Sequence, residues 1–137
     1  MLNQQGNLMN EEISKMAHIL VIEDDEQFRE MLVQMLTLDA HKVTVAHDGE
    51  EGVQLSQQVS PNLIITDILM PRMDGIEAIM ELARQGGGIP IIAMSGGRRS
   101  ISAEFNLESA TLMGVRATLA KPFTRADLRL AIEQALA

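Results

Sequence analysis

The chain contains no cysteine, tryptophan or tyrosine, and its phenylalanines are only Phe28, Phe105 and Phe123. Without cysteine there are no disulfides and no thiol chemistry, which agrees with a reducing cytoplasm. So few aromatic rings leave almost no platforms on which bases could stack. Basic residues are scarce as well: 11 Lys and Arg against 19 Asp and Glu leave a formal net charge of -8. Such a surface repels phosphate backbones and anionic lipid, so neither nucleic acid nor a membrane is an expected partner. No apolar run approaches the ~20 residues of a membrane span. The polar start of the chain also lacks the basic end and apolar centre of a signal peptide.

What is present is a core. Apolar residues make up 46% of 137 residues, enough for one packed domain. Residues 1–17 read as a polar N-terminal extension, and a strand-helix alternation occupies residues 18–137. Ile19-Leu20-Val21-Ile22 is a continuous apolar run that ends in the acidic cluster Glu23-Asp24-Asp25-Glu26. Phe28, Met31, Leu32, Met35, Leu36 and Leu38 then recur at three- and four-residue steps, the period of an amphipathic helix. Lys42 to Ala46 predicts a second strand, Asp48-Gly49 a turn, and Glu50 to Val59 a helix in which Gly52 costs about 1 kcal/mol relative to alanine.

Pro61 stops that helix, and Leu63 to Thr66 predicts a third strand. A helix follows over Gly75 to Gln85, with Ile76, Ile79, Met80 and Leu82 or Ala83 on its apolar face, and Gly86-Gly87-Gly88 ends it. Ile89 to Met94 predicts a fourth strand, residues 103–113 a helix, Val115 to Ala120 a fifth strand and Ala126 to Leu136 a closing helix. Five such units imply right-handed crossovers and a doubly wound α/β fold with a parallel sheet. The expected strand order is the flavodoxin-like 2-1-3-4-5, whose switch point falls between strands one and three.

The residues that follow each strand carry the chemistry. Strand one leads into Glu23, Asp24 and Asp25, strand three into Asp67, strand four into Ser95 and strand five into Lys121. With strands one and three adjacent, Asp24 and Asp67 meet at the crevice, and Ser95 and Lys121 approach from one side. Clustered carboxylates need a cation, and hard oxygen donors favour Mg2+. A metal-bound carboxylate can attack phosphorus when Lys121, the metal and the Ser95 hydroxyl neutralise the phosphoryl oxygens. His18, His41 and His47 lack metal-ligand spacing and read as structural. Isolated acidic runs are usually solvated helix starts, but the other strand ends weaken that reading for residues 23–26.

Residues 19–26, the segment Pro61 to Gly75 and Leu119-Ala120-Lys121-Pro122-Phe123 together resemble the response-regulator receiver domain of two-component signalling, over about residues 18–137. The resemblance implies that Asp67 accepts a phosphoryl group from a phosphohistidine on a histidine kinase or a histidine phosphotransfer protein. It implies Mg2+ held by Asp24, Asp67 and the backbone carbonyl of Leu69, with Glu23 reaching the metal more indirectly. Lys121 would pair with phosphoryl oxygens, and the Lys121-Pro122 bond would be cis. Thr118 stands where the family usually has an aromatic switch residue, and Ser95 where threonine is commoner. The stretch from Ser95 to Lys121 is several residues longer than usual, within Arg98 to Leu112.

Leu69 and Gly97 have no polar side chain to orient a hydrolytic water, so slow self-dephosphorylation is expected. No output segment follows Leu136, so a stand-alone switch is expected, not a classical enzyme. It would signal by protein contact through the face of the fourth helix, fifth strand and closing helix. Two other readings stand beside it. One is a non-phosphorylated scaffold of the same fold, which the complete set of site residues disfavours. The other is a small phosphatase with an Asp nucleophile, which normally needs an acid/base Asp where Leu69 stands.

Overall fold

The computed structural model of the chain describes residues 16–68, 75–85, 88–96 and 115–137. Five strands, β1 (His18–Ile22), β2 (Lys42–Ala46), β3 (Leu63–Asp67), β4 (Ile91–Gly96) and β5 (Ala117–Lys121), form one sheet. All four pairings are parallel, and the order is β2-β1-β3-β4-β5, the expected flavodoxin-like arrangement. Four helices are described: α1 (Glu26–Leu38), α2 (Gly49–Val59), α3 (Gly75–Arg84) and the C-terminal α4 (Arg125–Leu136). The expected helix over 103–113 lies outside the described residues.

Alternation along each strand divides the core in two. Ile19, Val21, Leu63, Ile65, Ile92, Met94, Ala117 and Leu119 face Leu32 and Leu36 of α1 and Leu128, Ala131 and Ile132 of α4. Leu20, Ile22, Ile64, Ile91 and Ala93 face the other way, toward α2 and toward Ile79 and Leu82 of α3. β1, β3 and β4 are therefore covered on both sides, which is why their sequences are apolar throughout. Each fully buried Ile or Leu contributes about 1.5–3 kcal/mol relative to an exposed one.

The helix starts follow from local chemistry. Asp25 caps α1 by accepting the Phe28 N–H at 2.9 Å, and Asp48 caps α2 by accepting that of Glu51 at 2.8 Å. Thr124 and Asp127 exchange side-chain-to-backbone bonds in a capping box at α4.

Several boundaries and faces depart from expectation. β4 starts at Ile91 and includes Ser95 and Gly96, and β5 starts at Ala117 and includes Lys121. The site residues thus sit on the last rungs of the ladder. Met31, Leu38 and Met80, expected on apolar helix faces, are exposed. Their helices turn a narrower stripe inward: Leu32 and Leu36 on α1, and Ala78, Ile79 and Leu82 on α3. The side chain of Ile76 lies outside the description. Gly52 has a packing reason: a Cβ there would meet Ile22 Cδ1 at 2.3 Å.

Candidate functional site

Sheet register assembles the site. Ile22 pairs with Thr66 across β1 and β3, so one further step sets Glu23 beside Asp67. Asp67 pairs with Met94 across β3 and β4, one residue before Ser95. Gly96 pairs with Lys121 across β4 and β5. Glu23, Asp67 and Ser95 are buried, whereas Asp24 opens to solvent at the rim.

Lys121 ties these strand ends together. Its Nζ donates to Glu23 Oε1 at 2.6 Å and to Asp67 Oδ2 at 3.0 Å, and its side chain is 16% exposed. Glu23 Oε2 accepts the Asp25 N–H at 3.1 Å, and the Glu23 carbonyl accepts Arg29 Nη1 at 2.9 Å. Burial first, and then the nearby Asp67 charge, push the Glu23 carboxyl up to about 7, against the opposing pull of Lys121. For Lys121 burial acts downward, but its bonds to Glu23 and Asp67 outweigh it and hold the ammonium above its ordinary value.

Among the described residues, carboxylate oxygens of Glu23, Asp24 and Asp67 all lie within 4.8 Å of one another. One ammonium against these three carboxylates leaves an excess of negative charge with hard oxygen donors, which fits a divalent cation such as Mg2+. A second feature fits an incoming anion. The Ser95 hydroxyl, on a residue only 1% exposed, has no hydrogen-bond partner among the described residues. A buried hydroxyl normally has one, so the site is one acceptor short.

The structure brings together Glu23, Asp24, Asp67, Ser95 and Lys121. Thr118 is exposed on β5, and the Lys121-Pro122 bond is cis, as the resemblance implied. Leu69, Gly97, Arg98, Arg99 and the lengthened stretch lie outside the described residues. His18 bonds Thr44, His41 accepts the Ala17 N–H and His47 pairs with Glu51, all away from the cluster. Sequence reading missed Phe28, whose ring centroid lies 4.1 Å from Lys121 Nζ. A hint existed in a phenylalanine four residues past Asp24 in a chain so poor in rings.

The profile of the response regulator receiver domain matches residues 19–133, most of the chain. The chain belongs to the response-regulator receiver family. The response regulator MprA of Mycobacterium ulcerans (strain Agy99) is 34% identical over 112 residues, covering 82% of this chain and 47% of that protein. The chain thus spans about half the length of the curated relatives it matches. A receiver domain from Clostridium thermocellum superposes with a TM-score of 0.76 at 27% identity, covering 88% of this chain and 94% of the other. The receiver domain of the sensor histidine kinase PA1611 from Pseudomonas aeruginosa PAO1 gives a TM-score of 0.78 at 27% identity, covering 88% and 98%. That neighbour has a magnesium ion coordinated in its active site cleft. The fold and the regulatory class of this receiver domain are thereby established. Among its described residues no helix is long and apolar enough to cross a membrane.

Proposed function

We propose that this receiver domain is a phospho-acceptor switch in which Asp67 takes a phosphoryl group from a phosphohistidine on a histidine kinase or histidine phosphotransfer protein. The observation that carries the reading is an acceptor carboxylate flanked by an ammonium already bonded to it and by a hydroxyl with no partner among the described residues. Lys121 Nζ lies 3.0 Å from Asp67 Oδ2, and the buried Ser95 hydroxyl has no other partner among the described residues. A carboxylate oxygen of Asp67 forms the new P–O bond as the P–N bond breaks, and the histidine ring, already protonated on its other nitrogen, leaves as neutral imidazole. Lys121 and Ser95 neutralise and hydrogen-bond the phosphoryl oxygens as charge develops. Glu23, Asp24 and Asp67 would hold Mg2+, joined by the Leu69 carbonyl. When bound, the ion supplies charge neutralisation for the clustered carboxylates and the transferring group.

Residues 18–137 form the switch in this reading, and residues 1–17 an extension to it. Output runs by protein contact on the side of β5 and α4, and the setting is the cytoplasm. Thr118 is exposed and carries no ring, so the readout does not rest on an aromatic swing at that position.

Intact mass after incubation with Mg2+ and a small-molecule phosphodonor tests the reading. One phosphoryl adduct on the wild type and none on Asp67→Asn is the expected result. No adduct on either protein would favour the scaffold. Continuous donor turnover without an adduct would favour a phosphatase.

A further inference from the structure

An ammonium has three donors, and Lys121 spends two of them on Glu23 and Asp67, at 2.6 and 3.0 Å. Its remaining side rests on a ring: Nζ lies 4.1 Å from the Phe28 centroid, well inside the range where an aromatic face attracts a cation. The ring is itself braced. Phe28 and Phe123 meet edge to face, with centroids 5.6 Å apart and planes at 84°. Phe123 is buried two residues beyond Lys121, and the Phe28 N–H is fixed by the cap residue Asp25. Each ring therefore belongs to a segment that also supplies site residues. In a chain with three phenylalanines and no tyrosine or tryptophan, one lies over this ammonium and a second packs against the first.

We propose that Phe28 is a positioning residue for Lys121: its ring face holds the ammonium beside Asp67 and keeps hold as the ammonium shifts from Glu23 to an incoming phosphoryl oxygen. This rests on the phospho-acceptor reading. A hydrogen bond fixes a direction, whereas attraction to a ring face tolerates sliding across it. The ammonium can thus exchange one anionic partner for another while the ring shields it from water. In that shielded place its charge acts more strongly than it would in solvent.

The plainer reading is that Phe28 only fills the core beside α1. A series with mono-, di- and trifluorinated phenylalanine at position 28 separates the two, because fluorine drains the negative ring face at nearly constant volume. The rate of Asp67 loading from a small phosphodonor at fixed Mg2+ is expected to fall stepwise, reaching roughly 5- to 30-fold for the trifluorinated ring. The urea midpoint should stay level across the series. Phe28→Leu should be as slow as the trifluorinated protein, and Phe28→Tyr should recover most of the loss.

A flat rate across the series, or a loss that only tracks stability, would overturn the proposal. NMR adds an independent measure. The Lys121 Cε protons should be shifted upfield by the ring current in the wild type and return to ordinary values in Phe28→Leu; unshifted protons in the wild type would also overturn it. A wild type that shows the shift but takes no phosphoryl group would sink the acceptor reading, and with it the role given to Phe28.

Discussion

Ser95 and Gly52 show how single positions are shaped by demands that their local sequence does not express. The Ser95 hydroxyl is buried without a partner among the described residues, a situation that costs about 1–3 kcal/mol. Ser95→Ala should therefore leave the unphosphorylated protein equally stable or up to about 1 kcal/mol more stable. The same change should slow Asp67 loading tenfold or more, by analogy with loss of one oxyanion donor, which costs roughly 10²–10³. Urea unfolding and phosphodonor kinetics read the two effects separately, and a clear loss of stability would mean that the hydroxyl is structural. Gly52 is the opposite case. Alanine there gains about 1 kcal/mol of helix propensity, but its Cβ would lie 2.3 Å from Ile22 Cδ1 inside a fully buried side chain. We expect Gly52→Ala to lower stability by roughly 1–3 kcal/mol, and Ile22→Ala, which removes Cδ1 and both γ carbons, to cost less in that variant than in the wild type. If Ile22→Ala costs as much in both, the clash is not the cause.

Between elements, long-range charge pairs settle what helix rules leave unfavourable. Asp39 follows the carboxyl end of α1, and Arg125 opens α4 with Arg129 one turn on, so each charge opposes its own helix dipole. Together they cancel: Asp39 accepts Arg125 Nη2 at 2.5 Å and Arg129 Nη2 at 2.8 Å. The bonds from Arg129 and then Arg125 hold the Asp39 carboxyl well below its ordinary range. A depressed carboxyl stabilises the fold above its unfolded pKa, near 3.9, and loses that contribution as pH falls further. Asp39→Asn should thus lower the urea midpoint at pH 7, modestly, because the arginine side chains are 40% and 56% exposed and the pairs are screened by solvent. The gap to wild type should start to close below about pH 4. A gap that is constant down to strong acid would exclude the ion pair as its source.

Such pairs also mark the limit of what was legible in the sequence. The strands and their order could be read because each buried strand writes its environment into a short apolar run. Asp67, Ser95 and Lys121 could be read because they end those runs. The Asp39 clamp joins residues 86 apart, and the bond from Lys121 to Glu23 joins residues 98 apart. No local period reports either contact. The exposure of Met31, Leu38 and Met80 escaped for a related reason, since apolar periodicity shows which residues can be buried, and the neighbouring elements decide how wide the buried stripe is.

For the molecule as a whole, folding concentrates negative charge in a chain that already carries a net charge of -8. Glu23 and Asp24 follow one strand and Asp67 ends another, 43 residues beyond Asp24, so a cation bound by all three binds the folded state alone. Such a ligand stabilises the fold by mass action, about 1.4 kcal/mol at ten times its Kd. That corresponds to a rise in Tm of roughly 4–7 °C for a domain of this size. Adding Mg2+ to chelator-treated protein should produce such a rise with saturation, and Asp24→Asn should weaken it. Asp24 is the variant to use because it lies at the exposed rim, where the change leaves Lys121 its two carboxylate partners. A Tm that climbs equally in wild type and Asp24→Asn would mean that Mg2+ only screens the surface charge. Sodium at matched ionic strength should then reproduce the rise, whereas a cation held at the strand ends predicts that it does not.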